Sequence, residues 1–106
     1  MRVLLDACVP TRLGRDLPTH NVVAATELGW GDLDDGPLLD AMGTEFDALV
    51  TVDKNLPKQQ RLDHRPFGVV VLRAKTNRLV DLLPLVPKLR ATLKRLSPGQ
   101  VVELSV

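Results

Sequence analysis

Continuous apolar runs constrain the fold of this chain more than any other feature of its sequence. Such runs lie at residues 2–5, 48–52 and 67–72, and in none of them do apolar and polar residues alternate. A strand with one face in water alternates, whereas a parallel strand covered by helices on both faces is apolar throughout. The runs therefore predict the central strands of a parallel sheet.

The segments between these runs predict the remaining elements. They are a helix over 10–17, a strand over 20–26, a helix started by Pro37 over 38–42, a loop or short helix after residue 53, an amphipathic helix over 82–96 that is regular only beyond Pro84 and Pro87, and an edge strand over 101–104. This order predicts a three-layer α/β fold with a mostly parallel sheet of about five strands. The length of 106 residues predicts one domain, spanning 1–106.

Cysteine content and hydropathy exclude several classes of protein. Cys8 is the only cysteine, so a disulfide framework and a zinc site built from several thiolates are both excluded. No segment approaches the roughly 18 apolar residues of a membrane-spanning helix. We expect a cytoplasmic protein that does not interact with membranes.

Charge is distributed unevenly along the chain. Residues 1–53 contain ten acidic and three basic residues, and residues 54–106 contain three acidic and eleven basic residues, giving net charges of −7 and +8. An acidic centre beside a basic rim suits a metal ion next to a phosphate backbone, but two solvated faces of opposite sign explain the count equally well. The only aromatic residues are Trp30, Phe46 and Phe67, so contacts to nucleic acid would be mainly to phosphates.

Two of the apolar runs end in an aspartate, Asp6 and Asp53. Ligands of parallel sheets bind beyond the carboxyl ends of the strands, and two carboxylates that converge there favour a hard divalent cation. Asp34, Asp35 and Asp40 are the candidates for a third ligand. The structural alternatives are that Asp6 caps the following helix, that Asp53 begins a turn and that Asp34 and Asp35 are solvated turn residues.

Several segments together resemble a known family. They are Met1–Pro10 (MRVLLDACVP), Glu27–Trp30 (ELGW), Phe46–Pro57 (FDALVTVDKNLP) with Gln59 and Gln60, Val69–Ala74 and Leu85–Pro87. In their order and spacing they resemble the short bacterial PIN-like domain proteins related to VapC-type toxin ribonucleases. The resemblance covers almost the whole chain.

This resemblance implies a metal-dependent ribonuclease. Asp6 and Asp53 match acidic positions of this family, and together with Asp35, the candidate third ligand, they would be the catalytic and metal-binding residues, holding Mg²⁺ or Mn²⁺ for hydrolysis of RNA phosphodiesters. A small antitoxin protein and a homodimer are the further partners that it implies. The chain has Pro37 and Asn55 where relatives often have acidic residues. A catalytically degenerate PIN-like binding module is therefore the alternative.

Basic residues follow the ends of the third and fourth predicted strands. Lys54 comes directly after Asp53, and Arg73 and Lys75 follow the next apolar run. We expect these three side chains to bind RNA phosphates, although a charged stretch is also typical of a solvated face.

A third hypothesis arises from residues 47–57, which are similar to the phosphoacceptor strand of receiver domains. Two features count against it. Asp6 is followed by Ala7 and Cys8 rather than by a second acidic residue, and no Lys-Pro element follows Leu72.

Three further residues near these motifs have structural interpretations. We expect Cys8 to be a small buried hydrophobic residue and Trp30 to fill the core. Thr51 is a candidate for orienting a metal-bound water, and also fits a strand without any such role.

Overall fold

Five parallel strands form the centre of the molecule. A computed structural model describes residues 1–106. The strands are β1 (Arg2–Leu5), β2 (Asn21–Ala24), β3 (Ala48–Thr51), β4 (Gly68–Arg73) and β5 (Val101–Ser105), in the spatial order β2-β1-β3-β4-β5. All four neighbouring pairs are parallel. The prediction of an α/β fold with a five-stranded, mostly parallel sheet is confirmed, as is the position of the last strand at an edge.

Helices cover both faces of this sheet. The α-helices are α1 (Asp35–Met42), α2 (Leu56–Gln59), α3 (Leu79–Leu82) and α4 (Val86–Leu93), and 3₁₀ helices span Thr11–Asp16, Ala25–Leu28 and Leu83–Leu85. Helices α1 and α2 pack on one face of the sheet. The first 3₁₀ helix, α3 and α4 pack on the other face. The fold therefore has three layers, and none of its helices is long and apolar enough to cross a membrane.

Side chains of the central strands are buried on both faces. Val3, Leu5 and Val50 point into the core beneath α4, while Leu4 and Leu49 point into the core beneath α1. All five side chains are completely inaccessible to solvent. Burial on both faces is the physical reason why the strands are continuous apolar runs in the sequence.

The structure differs from the sequence-based prediction in the details of several elements. The segment after Pro10 is a 3₁₀ helix, and the predicted strand over 20–26 ends at Ala24, where another 3₁₀ helix begins. The predicted helix over 82–96 is divided because Pro84 and Pro87 cannot donate backbone hydrogen bonds, and its last α-helical residue is Leu93.

The sheet reverses its strand order at β1 and β3. Strand β2 lies on one side of β1, and the chain then crosses back over β1 to form β3, β4 and β5 on the other side. In open parallel sheets, ligands bind in the crevice outside the carboxyl ends of the strands at such a switch point. The residues that follow β1 and β3 are therefore candidates for a ligand-binding site.

Candidate active site

Asp6 and Asp53 both lie at the crevice between β1 and β3. Asp6 directly follows β1, and its backbone N–H donates to the carbonyl of Val50 at 2.9 Å. Asp53 lies two residues beyond the end of β3. Both side chains are half-buried. The parallel register that pairs Leu5 with Val50 places the two aspartates at the same edge of the sheet.

Thr51 connects these two aspartates. Its side chain is 0% exposed, and its hydroxyl donates to Asp6 Oδ2 at 2.7 Å and accepts from the backbone N–H of Asp53 at 3.1 Å. Cys8 Sγ lies 3.6 Å from the same hydroxyl oxygen. Because the only hydroxyl hydrogen goes to Asp6, the Cys8 thiol is the donor in this contact. The Thr51 hydroxyl therefore positions Asp6 and Asp53.

Asp35 lies in the first turn of α1. We call Asp6, Asp53 and Asp35 together the acidic site. Its pKa is raised above the ordinary value, first by burial and then by the negative charges of Asp53, Asp6 and Asp34. Because Asp53 and Asp6 are among the causes of this shift, Asp35 lies within electrostatic range of both. Perturbed carboxylates of this kind are concentrated at functional sites.

These aspartates do not form a complete metal cage on their own. No group of three or more His, Cys, Asp or Glu side chains is arranged to hold a metal ion. Mg²⁺, however, is usually bound by one or two carboxylates together with waters and substrate phosphates. Asp6 Oδ1 accepts from Ala7 N–H and Oδ2 from Thr51, and each oxygen retains a lone pair for a ligand. The donor set therefore fits Mg²⁺ or Mn²⁺ bound in this mode.

A cleft of about 280 Å³ with a basic lining lies between the ends of β3 and β4. Its lining residues are Val52, Lys54, Leu72, Arg73, Ala74, Thr76 and Asn77. Arg73 also forms an ion pair with Glu103 on β5 at 2.8 Å. Of the three predicted phosphate-binding residues, Lys54 and Arg73 line this cleft, whereas Lys75 is exposed outside it. We call it the cationic cleft.

Thr76 and Asn77 are site residues that the sequence analysis missed. The Asn77 side-chain amide donates to the carbonyl of Cys8 at 3.1 Å, which ties the segment after β4 to the segment after β1. A signal for both residues was present, since they are polar and follow the carboxyl end of a strand neighbouring β3.

A second cleft, of about 500 Å³, lies between the start of α1 and the end of α2. We call it the glutamine cleft, and it is lined by Leu33, Asp34, Asp35, Gly36, Pro37, Gln59 and Gln60. The Gln60 side-chain amide faces Gly36, where an added Cβ would lie 3.7 Å from Gln60 Oε1. Asp35 therefore belongs both to the acidic site and to the wall of this cleft.

Asp40, the remaining candidate ligand, is placed elsewhere. Its carboxylate is paired with Arg65 at 2.7 Å and is 72% exposed. It is also absent from the charges that raise the pKa of Asp35. Asp40 therefore stabilises the outer surface of α1 through an ion pair, and the structure does not bring it to the acidic site.

Cys8 and Trp30 are half-buried, and each packs against the outside of a hydrophobic core cluster rather than filling it. Burial raises the pKa of the Cys8 thiol, which keeps it protonated and unreactive at neutral pH. Trp30 packs edge-on against Phe46, with 6.2 Å between ring centroids and 70° between ring planes. Both side chains thus contribute to packing.

Similarity to known proteins does not assign a function to this chain. No family model, curated protein or solved structure matches the chain. The strand order 2-1-3-4-5 is the doubly wound order of flavodoxin-like proteins, a group that includes receiver domains. Because one fold supports many activities, the site carries the functional argument.

Proposed function

We propose that this protein is a Mg²⁺- or Mn²⁺-dependent ribonuclease that hydrolyses RNA phosphodiester bonds at the acidic site. The observation that supports this most is that Asp6 and Asp53 follow the neighbouring strands β1 and β3 at the switch point of the sheet and are joined through the Thr51 hydroxyl. The pKa of Asp35 is raised by burial and then by the charges of these two aspartates. Three like charges in one crevice repel each other, and a divalent cation relieves this repulsion. The cationic cleft beside them suits an anionic substrate such as a phosphate backbone.

Each side chain has a distinct role in this proposal. Asp6 and Asp53 would hold the metal ion, Asp35 would add a third negative charge near it without completing a three-carboxylate group, and Thr51 keeps Asp6 in its orientation. When bound, the ion supplies Lewis acidity that lowers the pKa of the attacking water. Lys54 and Arg73 bind the phosphates that flank the scissile bond and offset the charge that develops on the transferred phosphoryl group.

The proposal extends to the protein's partners and location. The likeness to VapC-type toxins supports a cytoplasmic ribonuclease that is inhibited by a small antitoxin protein and acts as a homodimer. Co-purification from the native source tests this part separately. A small protein that purifies in stoichiometric amount with the chain supports the pairing, and an unaccompanied monomer argues against it.

A catalytically degenerate binding module is the second candidate, and two observations favour it. The carboxylates do not form a group of three that holds a metal unaided. Asn55, where relatives often have an acid, contributes only its backbone N–H, which donates to Asp53 Oδ1 at 2.9 Å. In this alternative the same crevice binds RNA without cleaving it.

Metal binding and RNA cleavage, measured on the same preparations, test the proposal. Calorimetric titration with Mn²⁺ is expected to saturate, and total RNA is expected to be cleaved in Mn²⁺ but not in chelator. Asp6→Asn keeps the shape of the side chain and removes one ligand charge, so it should abolish cleavage and weaken Mn²⁺ binding. Glu45→Gln is the matched control, because this exposed acid precedes β3 at the opposite edge of the sheet.

The possible results separate the hypotheses. Cleavage that is unchanged by chelator or by Asp6→Asn would refute the metal-dependent mechanism. Saturable Mn²⁺ binding or RNA binding without any cleavage would favour the degenerate module. Thermal unfolding of both variants checks that a loss of cleavage does not arise from unfolding.

A further inference from the structure

The cationic cleft and the glutamine cleft have opposite chemical character. The cationic cleft contains Lys54 and Arg73, whereas the glutamine cleft contains two carboxylates, two carboxamides and no basic side chain. A phosphate group is repelled from the second cleft by Asp34 and Asp35. A strand of RNA that places its phosphates in the cationic cleft can still offer an uncharged group to the glutamine cleft.

From this contrast we propose that the glutamine cleft binds an unpaired nucleobase that carries an exocyclic amino group, adjacent to the scissile phosphate. The inference rests on the proposed ribonuclease function, and it adds the class of nucleotide that the site selects. Asp35 lines the cleft and also belongs to the acidic site, so a base held there lies next to the reacting phosphodiester.

The hydrogen-bonding groups of the cleft determine which bases fit. A glutamine carboxamide has two donor hydrogens and an acceptor oxygen, and an ionised aspartate such as Asp34 only accepts. Adenine and cytosine present an amino donor beside a ring-nitrogen acceptor; an aspartate carboxylate can accept from the amino group, and a glutamine carboxamide N–H can donate to the ring nitrogen. Uracil lacks the amino group and presents a carbonyl oxygen on each side of its N3–H, which the carboxylates of Asp34 and Asp35 repel. The residues Gln59, Gln60 and Asp34 therefore favour adenine or cytosine over uracil.

The lining also indicates how the base is held. It includes no aromatic side chain, so recognition is by the edge of the base rather than by stacking. Edge recognition of this kind requires an unpaired base, because pairing in an RNA helix occupies the Watson–Crick edge. Leu33 supplies the apolar surface of the cleft.

Gly36 keeps the cleft open in front of Gln60. A Cβ at this position would contact Gln60 Oε1 at 3.7 Å and Nε2 at 4.0 Å, which are ordinary van der Waals distances. Gly36→Ala therefore fills part of the cleft without a steric clash. Because alanine also favours helix more than glycine does, the substitution should not destabilise the first turn of α1.

Binding of short homopolymeric RNAs tests this inference independently of cleavage. Fluorescence anisotropy with labelled octamers of adenylate, cytidylate and uridylate is measured in chelator, so that the RNA stays intact. The wild-type protein is expected to bind the first two about tenfold more tightly than the uridylate octamer. Gln60→Leu, which keeps the size of the side chain, should reduce these affinities to the uridylate level, and Gly36→Ala should reduce them by a smaller factor.

Gln100→Leu is the matched control, because this exposed glutamine precedes β5 at the opposite edge of the sheet. It should leave the preference unchanged. Equal affinity for the three octamers, no RNA binding, or a preference that survives Gln60→Leu in a folded protein would each overturn the inference. Failure of the ribonuclease proposal is distinguishable, because it would appear as no cleavage in Mn²⁺ while the preference among octamers remained.

Discussion

Removing the Thr51 hydroxyl tests whether this group positions Asp6 and Asp53. Thr51→Val keeps the shape of the side chain but removes the donor to Asp6 Oδ2 and the acceptor for Asp53 N–H. Since the threonine side chain is 0% exposed, the added methyl group of valine takes the place of the hydroxyl and leaves no room there for a water between the two aspartates. The substitution thus affects both aspartates while leaving their own side chains intact.

The expected loss in the free energy of unfolding follows from the two hydrogen bonds that Thr51→Val removes. A hydrogen bond to a charged group contributes about 1.5–3 kcal/mol, and an amide deprived of its partner costs about 1 kcal/mol when it is only partly buried. We expect Thr51→Val to lower the free energy of unfolding by about 3 kcal/mol. Thr51→Ser retains the hydroxyl and loses one methyl group, so it should cost only about 1 kcal/mol.

Urea unfolding at pH 7, monitored by far-ultraviolet circular dichroism, measures the free energy of unfolding of the wild type, of Thr51→Val and of Thr51→Ser. A loss of about 3 kcal/mol is a substantial part of the 5–15 kcal/mol by which domains are usually stable. The reasoning is refuted if Thr51→Val unfolds within about 0.5 kcal/mol of the wild type, or if Thr51→Ser costs as much as Thr51→Val.

Four other substitutions have definite expected results. The raised pKa of Asp35 means that its charged form destabilises the folded state, so in chelator Asp35→Asn should raise the melting temperature at pH 7. This gain should disappear as the pH falls through the raised pKa, and a gain that is constant with pH would contradict it. Gly99 has φ of +80° and a Cβ there would lie 2.6 Å from the carbonyl oxygen of Asp63, so Gly99→Ala should destabilise by about 2 kcal/mol or more in urea unfolding. Gly43→Ala, at φ of +52° in open space, should cost only about 1 kcal/mol. Lys54→Met should weaken binding of all three RNA octamers equally and reduce the salt slope by about one, whereas an effect on a single octamer would argue against a phosphate contact.

The architecture was predictable because its determinants are local in the sequence. Apolar runs that do not alternate identify strands buried on both faces. Pro37 indicated a helix at the right place, but α1 begins two residues earlier, at Asp35, so that Pro37 lies within its first turn. The breaks in the helix predicted over 82–96 were only partly predictable. Pro84 and Pro87 indicated irregularity, but the division into α3, a 3₁₀ helix and α4 depends on packing against the sheet.

The candidate site was predictable only in part, for a physical reason. Asp6 and Asp53 were found because each follows an apolar strand, and strand ends meet at one edge. The role of Thr51 depends on the register between β1 and β3, which joins residues 45 positions apart. The glutamine cleft depends on how α1 and α2 are placed on the sheet. Such long-range relations are not visible as a pattern along the chain.

The position of β5 has a consequence for synthesis of the protein. Strand β4 is buried from Gly68 to Leu72, and β5 is the partner that covers its outer side. Until residues 101–105 have been made and paired, a partly folded chain presents residues 68–72 of β4 as an uncharged, valine-rich edge, which is a template for aggregation with other chains. A chain truncated before Val101 should therefore accumulate as insoluble aggregate. The same chain extended through β5 ends its sheet on a strand whose Glu103 carries a charge at the new edge.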